Sequence, residues 1–406
     1  MLTVAPAPAA LPPRPAAPGG DPWPAVRAIC DRFVAWQAPS GGISVARCPY
    51  HRPPLLRGPI AYGQDLPWIA RALYGAYDAG GDERYKAAAD GYAVFFIASV
   101  HYSRATFALG GALDPCYTLY REHNPGDDSL DEAAHALYRR LLEFRTEAGN
   151  YINAGYGHVA GPDGRPQVER TTHPAADVAY SNDLSDVGRG LTGYHRHFGD
   201  RGALEHALGL AAFFLREFRP GTLDGVWSSA LGTWLIGPRH LTGFENLRGV
   251  YADECGWGWS SYFVSLFLAR LSDCAGDEAL RARIGERCAA TLRWTYEACQ
   301  WADGALGMAG RDDKWLGQTA LAVLLYLELA RRRLLDGATR REVYPRALRA
   351  LDWLRRMSAP QRFPPDGYIP VTGRSRPLPG WNTTWQMAHI AEALLAGAAL
   401  ESLGSS

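Results

Sequence analysis

The sequence is poor in lysine and carries no excess of charge of either sign. Lys86 and Lys314 are the only lysines among 42 basic residues, and 42 acidic residues bring the net charge at pH 7 to zero. No stretch gathers basic side chains on one helix face, as binding to a phosphate backbone requires. We therefore expect no nucleic-acid partner.

Cysteine patterns and long apolar runs are also lacking. The seven cysteines form an odd set without a Cys-x-x-Cys spacing, so neither a disulfide framework nor a zinc site is predicted. No apolar run reaches the ~18 residues that a membrane-spanning helix needs. Residues 1–20 are rich in Pro and Ala but lack the basic and apolar regions of a secretory signal. We expect a cytoplasmic protein with no membrane contact, a disordered tail over 1–20 and a single domain over 21–406.

A loose internal repeat is the most informative feature that is present. Each unit has a helical pattern, a Gly followed by an Asp, and a second helical pattern, so that the Gly can end one helix and the Asp can cap the next. Each unit is thus predicted to be a helical hairpin. The units are 63–97, 181–218 and 254–299, with a fourth at 312–357, a further first helix at 381–403, and single helices near 23–37 and 130–148.

The two helices of each hairpin differ in composition. First helices carry small and aromatic residues at close spacing, as in 188–199, whereas second helices are amphipathic. This difference predicts an all-α toroid, an (α/α)5-6 ring with a tightly packed inner layer. All inner helices should begin at one rim, and the long segments between hairpins are predicted to be rim loops. Those segments are 103–128, 149–181, 219–255 and 358–380.

Polar and aromatic residues occur together at the predicted heads of the inner helices. Helix capping accounts for the carboxylates but not for the aromatic rings beside them. Rings that stack on C–H faces, next to carboxylates and amides that bind hydroxyls, suit a saccharide or polyol-like substrate. The residues expected to bind it are Asp65, Trp68, Asn182, Tyr156, His158, Trp257, Trp259, Trp315, Trp381 and Trp385.

Hydrolysis of a glycosidic bond requires two carboxyl groups, one protonated and one ionised. We favour Asp183 with Glu254 or Asp313, since they head different inner helices; Asp65, Asp186, Asp253 and Asp312 are further candidates. Elimination would instead require a Tyr or His base near an Arg. The residues available for that are Tyr151, Tyr156, His158, His195, His197, Arg189 and His240. A toroid that binds a saccharide or a protein without catalysis is the alternative of another class.

The sequence favours no metal and no cofactor. His195 and His197 are two residues apart and do not share a helix face. The acidic run 127–131 has the form of a magnesium-diphosphate motif of terpene synthases, but it precedes a helix, where acidic residues favour the helix dipole. The Gly-Trp-Gly-Trp at 256–259 lacks the Lys of a phosphate loop.

Repeated hairpins whose inner helices open with Asp, Trp and Gly resemble the six-hairpin glycosidase superfamily. That superfamily includes unsaturated glucuronyl hydrolases, toroid-type mannanases and N-acylglucosamine epimerases. The resemblance covers most of 60–403 as a pattern. It implies an α/α toroid and carbohydrate chemistry, and it leaves hydrolase, lyase and epimerase open.

Overall fold

A computed structural model describes most of the helical part of the chain. The described residues are 21–44, 59–60, 65–101, 103, 105–146, 151, 156–160, 166–170, 181–219, 225–235, 258–307, 313–358, 371–373, 377–378 and 384–403. For 44, 59–60, 156–160, 166–170, 258–259, 313, 371–373, 377–378 and 384–385 the backbone alone is described. The tail predicted over 1–20 lies outside these residues.

Six helical segments within the described residues form a closed inner ring. Each packs against the next, and the last returns to the first. The segments are α2 (Leu66–Gly80), α4 (Thr106–Gly111) continued by a kinked π-helical stretch (Ala112–Tyr117) and α5 (Thr118–His123), α7 (Ser181–Phe198), α9 (Gly258–Ser272), α11 (Leu316–Arg331) and α13 (Thr384–Ser402). The predicted toroid is thereby confirmed, with six hairpins. The inner helices at 66, 181, 258, 316 and 384 begin within two residues of the positions that the sequence predicts for them, near 65, 183, 257, 315 and 385.

An outer ring of amphipathic helices surrounds the inner one. Its members are α1 (Trp23–Trp36), α3 (Glu83–Val100), α6 (Asp131–Leu142), α8 (Arg201–Phe214), α10 (Glu278–Cys299) and α12 (Gly337–Met357). The first of them, α1, packs on α13 and α2, so the helices nearest the two chain ends complete the sixth hairpin together. Among the inner helices, α11 is buried on nearly every face, as expected for a layer enclosed on both sides.

One predicted loop is a helix. Segment 103–128 contains α4, the kinked stretch and α5, and every residue of α4 is buried. The prediction of a rim loop was wrong because Gly110-Gly111 and Pro115 interrupt the helical periodicity ahead of the Gly126-Asp127 pair that ends the first helical segment of this hairpin. The interruption is real in the backbone, since Asp114 leaves the helical region with φ −144° and ψ 117°.

The turns between paired helices have the predicted chemistry. Gly81, Gly199 and Gly276 adopt positive φ angles of 70°, 71° and 62°. The Asp after each caps the next helix: the side chain of Asp82 accepts from the backbone N–H of Arg84, that of Asp200 from Ala203, and that of Asp277 from Leu280. In the fourth hairpin Arg333 takes the left-handed position with φ 56°, and Asp336 caps α12.

Glycines bring the inner helices unusually close. A Cβ on Gly190 of α7 would lie 2.8 Å from both the Cα and the carbonyl oxygen of Gly110 in α4. A Cβ on Gly188 would lie 2.6 Å from the ring of Phe267 in α9. The small residues of this first-helix pattern therefore let α7 pack tightly on both of its neighbours in the ring.

Short strands occupy the longer connections at the end where the inner helices begin, called the N-terminal rim below. The antiparallel pairs are β1 (Ile43–Ser44) with β2 (Pro59–Ile60), β3 (Tyr156–Ala160) with β4 (Pro166–Arg170), β5 (Trp227–Ser228) with β6 (Thr233–Trp234), and β7 (Asp313–Lys314) with β8 (Val371–Gly373), which also pairs with β9 (Pro377–Leu378). The pair β7 and β8 joins connections that are distant in sequence. Among the described helices, none is long and apolar enough to cross a membrane.

Candidate active site

Aromatic and charged side chains from non-adjacent inner helices meet at the centre of the ring. Trp68, in the first turn of α2, lies 5.1 Å from the ring of Phe263 in α9 and 4.7 Å from the ring of His389 in α13, measured between centroids. Because α2 and α9 are not neighbours in the ring, their contact crosses the toroid axis. We use the name axial cluster for Trp68, Phe263 and His389 together with five charged residues described below, Arg71, Asp114, Asp186, Arg189 and Glu392.

Arg189 of α7 is the most deeply buried cation of the axial cluster. It is 1% exposed, and its guanidinium carbon lies 4.6 Å from the centroid of the Trp68 ring, a cation–π distance. The same guanidinium donates to Asp186, one turn earlier in α7, and forms an ion pair of 3.6 Å with Asp114. A buried arginine is thus held between two carboxylates and an aromatic face.

A second buried ion pair joins the first and last inner helices. The Nε of Arg71 in α2 lies 3.2 Å from Oε2 of Glu392 in α13. The other carboxylate oxygen of Glu392 lies 4.0 Å from Nδ1 of His389, whose ring is 5.9 Å from the rings of Tyr262 and Phe263. The imidazole is therefore enclosed by aromatic rings and flanked by a carboxylate.

The carboxyl groups of the axial cluster differ in acidity. Burial raises the pKa of Asp186 to about 6 although Arg189 opposes the shift. Burial also raises the pKa of Glu392, against the effect of Arg71. For Asp114, burial acts in the same direction, but Arg270 and Arg189 outweigh it and hold the pKa below its ordinary value. Burial, with Arg71 and Arg189 nearby, keeps the pKa of His389 well below its ordinary value, so this imidazole is neutral at pH 7.

Several buried polar atoms of the inner helices make no hydrogen bond to any group among the described residues. Those on α2, α7, α11 and α13 include Arg71 Nη1, Arg189 Nε and Nη1, Gln318 Nε2, Gln386 Nε2 and both carboxylate oxygens of Glu392. Leaving such a group unsatisfied costs about 1–3 kcal/mol, and more when the group is charged. Atoms of the same kind also occur on outer helices, for example Arg287 Nε and Arg355 Nη2. Those of Arg71 and Arg189 belong to guanidinium groups that lie against Trp68, and a polar ligand beside Trp68 would supply their missing partners.

This arrangement combines the groups that acid–base chemistry on a polar substrate requires. Asp186 titrates close to neutrality, Asp114 stays ionised, and His389 is a neutral imidazole. Proton donors and acceptors with pKa values pushed apart by their surroundings are typical of catalytic sites.

Four predicted site residues, Asp65, Trp68, Asn182 and Asp183, lie at the starts of α2 and α7. Asp65 occupies the cap position of α2 and is 1% exposed, yet its side chain makes no capping hydrogen bond. Asp183 is also 1% exposed, and its Oδ1 accepts a hydrogen bond of 3.0 Å from the amide of Asn182. Capping thus does not explain the carboxylate of Asp65. Trp68 is 4% exposed, so it belongs to the floor beneath the rim rather than to an open platform.

The other predicted residues are described only in part. Trp315 is half-buried at the cap position of α11. Only backbone is described for Asp313, which pairs with Gly373 in β7–β8, for Tyr156, which pairs with Arg170, for His158 in β3, and for Trp259 and Trp385 in the first turns of α9 and α13. Glu254, Trp257 and Trp381 lie outside the described residues, as do Asp253, Asp312 and His240.

The base and arginine suggested for elimination are not brought together on α7. His195 and His197 lie in its last turn, at the opposite end of the helix from the N-terminal rim. The Nδ1 of His195 is 2.8 Å from the carbonyl oxygen of Asp200, and the ring of His197 packs edge-on against Tyr117. Arg189 instead lies on the axis. The grouping of these two histidines with Arg189 was wrong, because the helical rise of about 1.5 Å per residue separates them along the axis.

The acidic run after α5 forms side-chain hydrogen bonds at its first and last positions. Asp127 accepts a hydrogen bond of 2.6 Å from the hydroxyl of Tyr120, and Asp131, the first residue of α6, accepts one of 2.6 Å from Tyr117. Its carboxylates therefore join helices to each other, in agreement with the structural interpretation of that motif.

Sequence reasoning missed most of the axial cluster. Arg71, Asp114, His389 and Glu392 lie one to three turns inside helices, whereas the search concentrated on helix heads. One signal was available: a charged residue within a helix that is otherwise apolar on every face must be paired or functional. Glu392, within an Ala- and Leu-rich segment, fits that description.

Solved structures with the same architecture cover nearly all of the chain. The alpha-1,6-mannanase from Salegentibacter sp. is 11% identical, with a TM-score of 0.63 over 94% of this chain and 100% of that one. An unsaturated glucuronyl hydrolase specific for heparin is 15% identical, with a TM-score of 0.61 over 94% and 99% of the two chains. The cellobiose 2-epimerase from Bacillus thermoamylovorans is 12% identical, with a TM-score of 0.60 over 92% and 98%.

The chain has the six-hairpin α/α toroid fold. At these identities the likeness establishes the fold alone, because toroids with the same backbone support different reactions. No protein-family model matches the sequence, and a comparison with curated proteins finds no match either.

Proposed function

We propose that this chain is a carbohydrate-active enzyme that hydrolyses a glycosidic bond in a saccharide, including saccharides that contain uronate. The observation that supports the proposal most is the axial cluster beneath the N-terminal rim. It combines an aromatic floor, buried guanidinium groups without a full set of hydrogen bonds, and carboxyl groups of unequal acidity. The C–H faces of a sugar ring can stack on the aromatic side chains. Its hydroxyl or carboxylate oxygens can accept hydrogen bonds from the guanidinium groups.

The proposed roles follow the position of each residue relative to the rim. Asp183, with Glu254 or Asp313 from another connection, would supply the carboxyl pair. Asp186, one turn below Asp183 and with its pKa near 6, is a further candidate for the proton donor. The polar and aromatic residues expected to bind the sugar are Asp65, Trp68, Asn182, Tyr156, His158, Trp257, Trp259, Trp315, Trp381 and Trp385.

The structural neighbours give the proposal its chemical class. An inactive variant of the Salegentibacter mannanase is described in complex with alpha-1,6-mannotriose, and the other neighbours include a glucuronyl hydrolase and a polysaccharide lyase. Saccharides are therefore the first substrates to test. For a uronate, Arg71 and Arg189 offer the planar donors that suit a carboxylate.

Epimerisation is the second candidate, and His389 favours it. A neutral imidazole at the axis can take a proton from a sugar carbon and return it, a step that hydrolysis does not need. The likeness to a cellobiose 2-epimerase points in the same direction. Elimination and saccharide binding without catalysis are the remaining alternatives.

A panel of saccharides distinguishes these functions. The full chain is incubated with neutral and uronate-containing oligosaccharides while reducing ends, absorbance of unsaturated products and epimer composition are followed. Reducing ends without absorbance support hydrolysis, both signals together indicate elimination, and a changed epimer ratio at a constant reducing-end count indicates epimerisation. Binding without any of these changes indicates a non-catalytic toroid.

Point variants then assign the residues. If hydrolysis occurs, Asp183→Asn, Glu254→Gln and Asp313→Asn should each be tested, and loss of a catalytic carboxyl should reduce the rate by a factor of at least about 100. Asp352→Asn, on the exposed side of α12, removes the same charge far from the axis and should retain the full rate. Full activity in all three rim variants would contradict the proposed carboxyl pair.

A further inference from the structure

A continuous chain of alternating charges descends from the axial cluster to the end where the inner helices finish. Each member is within ion-pair distance of the next. In order they are Asp186, Arg189, Asp114, Arg270, Glu328, Arg332, Asp273 and Arg281. We call these eight residues the charge chain. It passes from α7 to the kinked stretch, then to α9 and α11, and ends on α10.

The buried half of the charge chain is connected through Asp114. Its Oδ2 pairs with Arg189 at 3.6 Å and also accepts a hydrogen bond from Nη1 of Arg270, while its Oδ1 accepts one of 2.8 Å from the hydroxyl of Thr118. Arg270, in the last turn of α9, continues to Glu328 of α11 at 3.9 Å. Arg270 is therefore an ion-pair partner of both carboxylates, Asp114 and Glu328.

The backbone is shaped to place Asp114 at this junction. Its non-helical φ and ψ interrupt the inner helix, and a Cβ on Gly193 of α7 would lie 3.0 Å from the Cβ of Asp114. The kink and the glycine together let a carboxylate of one inner helix approach the next helix closely. Interruptions of this kind in helices occur frequently at functional sites.

We propose that Arg270 is a positioning residue: by engaging Asp114 it leaves Arg189 free to bind Asp186 and to lie on the face of Trp68. Arg270 is three ion pairs away from Asp186 along the charge chain. This proposal rests on the proposed function only for its effect on turnover, since the position of Arg189 and the titration of Asp186 can be measured without a substrate.

The consequence of losing Arg270 can be derived from the charges. Arg189 would then be the one cation within ion-pair distance of Asp114 among the described residues, so Arg189 would be drawn towards Asp114 and away from Asp186. Asp186 would lose part of its stabilising partner while it remained buried, and its pKa would rise. The charged or titratable groups around this region are Arg189 of α7, Asp114 of the kinked stretch, Arg71 of α2, Arg270 of α9, Glu328 of α11, and His389 and Glu392 of α13.

The experiment follows the carboxyl carbon of Asp186 by NMR in the full chain labelled at aspartate, with the signal assigned through Asp186→Asn. In Arg270→Gln we expect the pKa of Asp186 to rise by about half a unit or more. In Arg270→Lys, which keeps one charge but cannot bridge Asp114 and Glu328 with a planar fork, we expect a smaller rise. If a saccharide is turned over, the acidic limb of its pH–rate profile should move with the NMR value.

Arg332→Gln is the matched control, since Arg332 belongs to the same charge chain but contacts Glu328 and Asp273 and not Asp114. We expect it to leave the pKa of Asp186 unchanged. An unchanged pKa in Arg270→Gln, or an equal shift in Arg332→Gln, would overturn the proposal. If Arg270→Gln does not fold, Arg270→Lys decides, and an unchanged pKa there overturns it too. Absence of turnover on every saccharide contradicts the proposed function but leaves the titration result decisive for Arg270.

Discussion

Asp186 is a single residue whose environment makes stability depend on pH. Its ordinary pKa of 3.8 rises to about 6 in the folded chain because it is buried. As pH increases from about 4 to about 6, the unfolded chain ionises before the folded one, so the folded state loses stability over that interval. The loss is at most about 3 kcal/mol, from 1.36 kcal/mol per pKa unit.

Asp186→Asn should remove this loss. The free energy of unfolding of the variant, minus that of the parent, is expected to increase as pH rises from about 4 to about 6, whatever its absolute sign. Urea denaturation at several pH values measures the difference. A flat difference would show that this carboxyl titrates as it does in the unfolded chain.

At the scale of elements, the closeness of α4 and α7 depends on glycine. Gly190→Ala places a methyl group 2.8 Å from backbone atoms of Gly110, which cannot rotate away, so one helix must shift. We expect a loss of roughly 1–3 kcal/mol in the free energy of unfolding, measured by urea denaturation. Gly209→Ala, on the exposed side of α8 with nothing within 4 Å, is the control and should stabilise by about 0.5–1 kcal/mol through helix propensity. Equal effects in the two variants would mean that the ring tolerates wider spacing.

The helices and the turns between them show which parts of the fold can be predicted from the sequence. The Gly-Asp breaks predicted the hairpins correctly because helix ending and capping are local properties, as at Gly199 and Asp200. The inner segment α4 to α5 was missed because a kink at Asp114, which places a carboxylate on the axis, destroys the periodicity that identifies a helix. Arg71 and Glu392 could not be paired from sequence, since their contact depends on closure of the ring.

At the scale of the whole molecule, the ion pair between Arg71 and Glu392 joins the first and last inner helices. Arg71→Met leaves a carboxylate buried without its cation, and we expect a loss of roughly 3–5 kcal/mol in the free energy of unfolding. The double variant Arg71→Met with Glu392→Leu should lose less than the single one, because neither charge then remains buried. A double-mutant cycle by urea denaturation measures the coupling.

The pair Arg84 and Asp31, at 3.5 Å between α3 and α1, is the matched control for that cycle. Both of its side chains are at least half exposed, so water screens their attraction and their coupling should be much smaller than that of Arg71 and Glu392. If the losses in the free energy of unfolding of the two single variants at Arg71 and Glu392 add up to that of the double variant, their coupling is as small as that of the surface pair. The ring then closes without a contribution from this ion pair.

The packing of α1 against α13 also orders events during synthesis. While α13 is still inside the ribosome, α1 and α2 have no partner on one side, and the chain is an open arc with apolar inner surfaces exposed. Arg71 then lacks its ion-pair partner Glu392, and five of the six inner segments surround the axis. The last inner helix therefore closes the ring and completes the axial cluster in one step, so a nascent chain cannot acquire this site before α13 has left the ribosome.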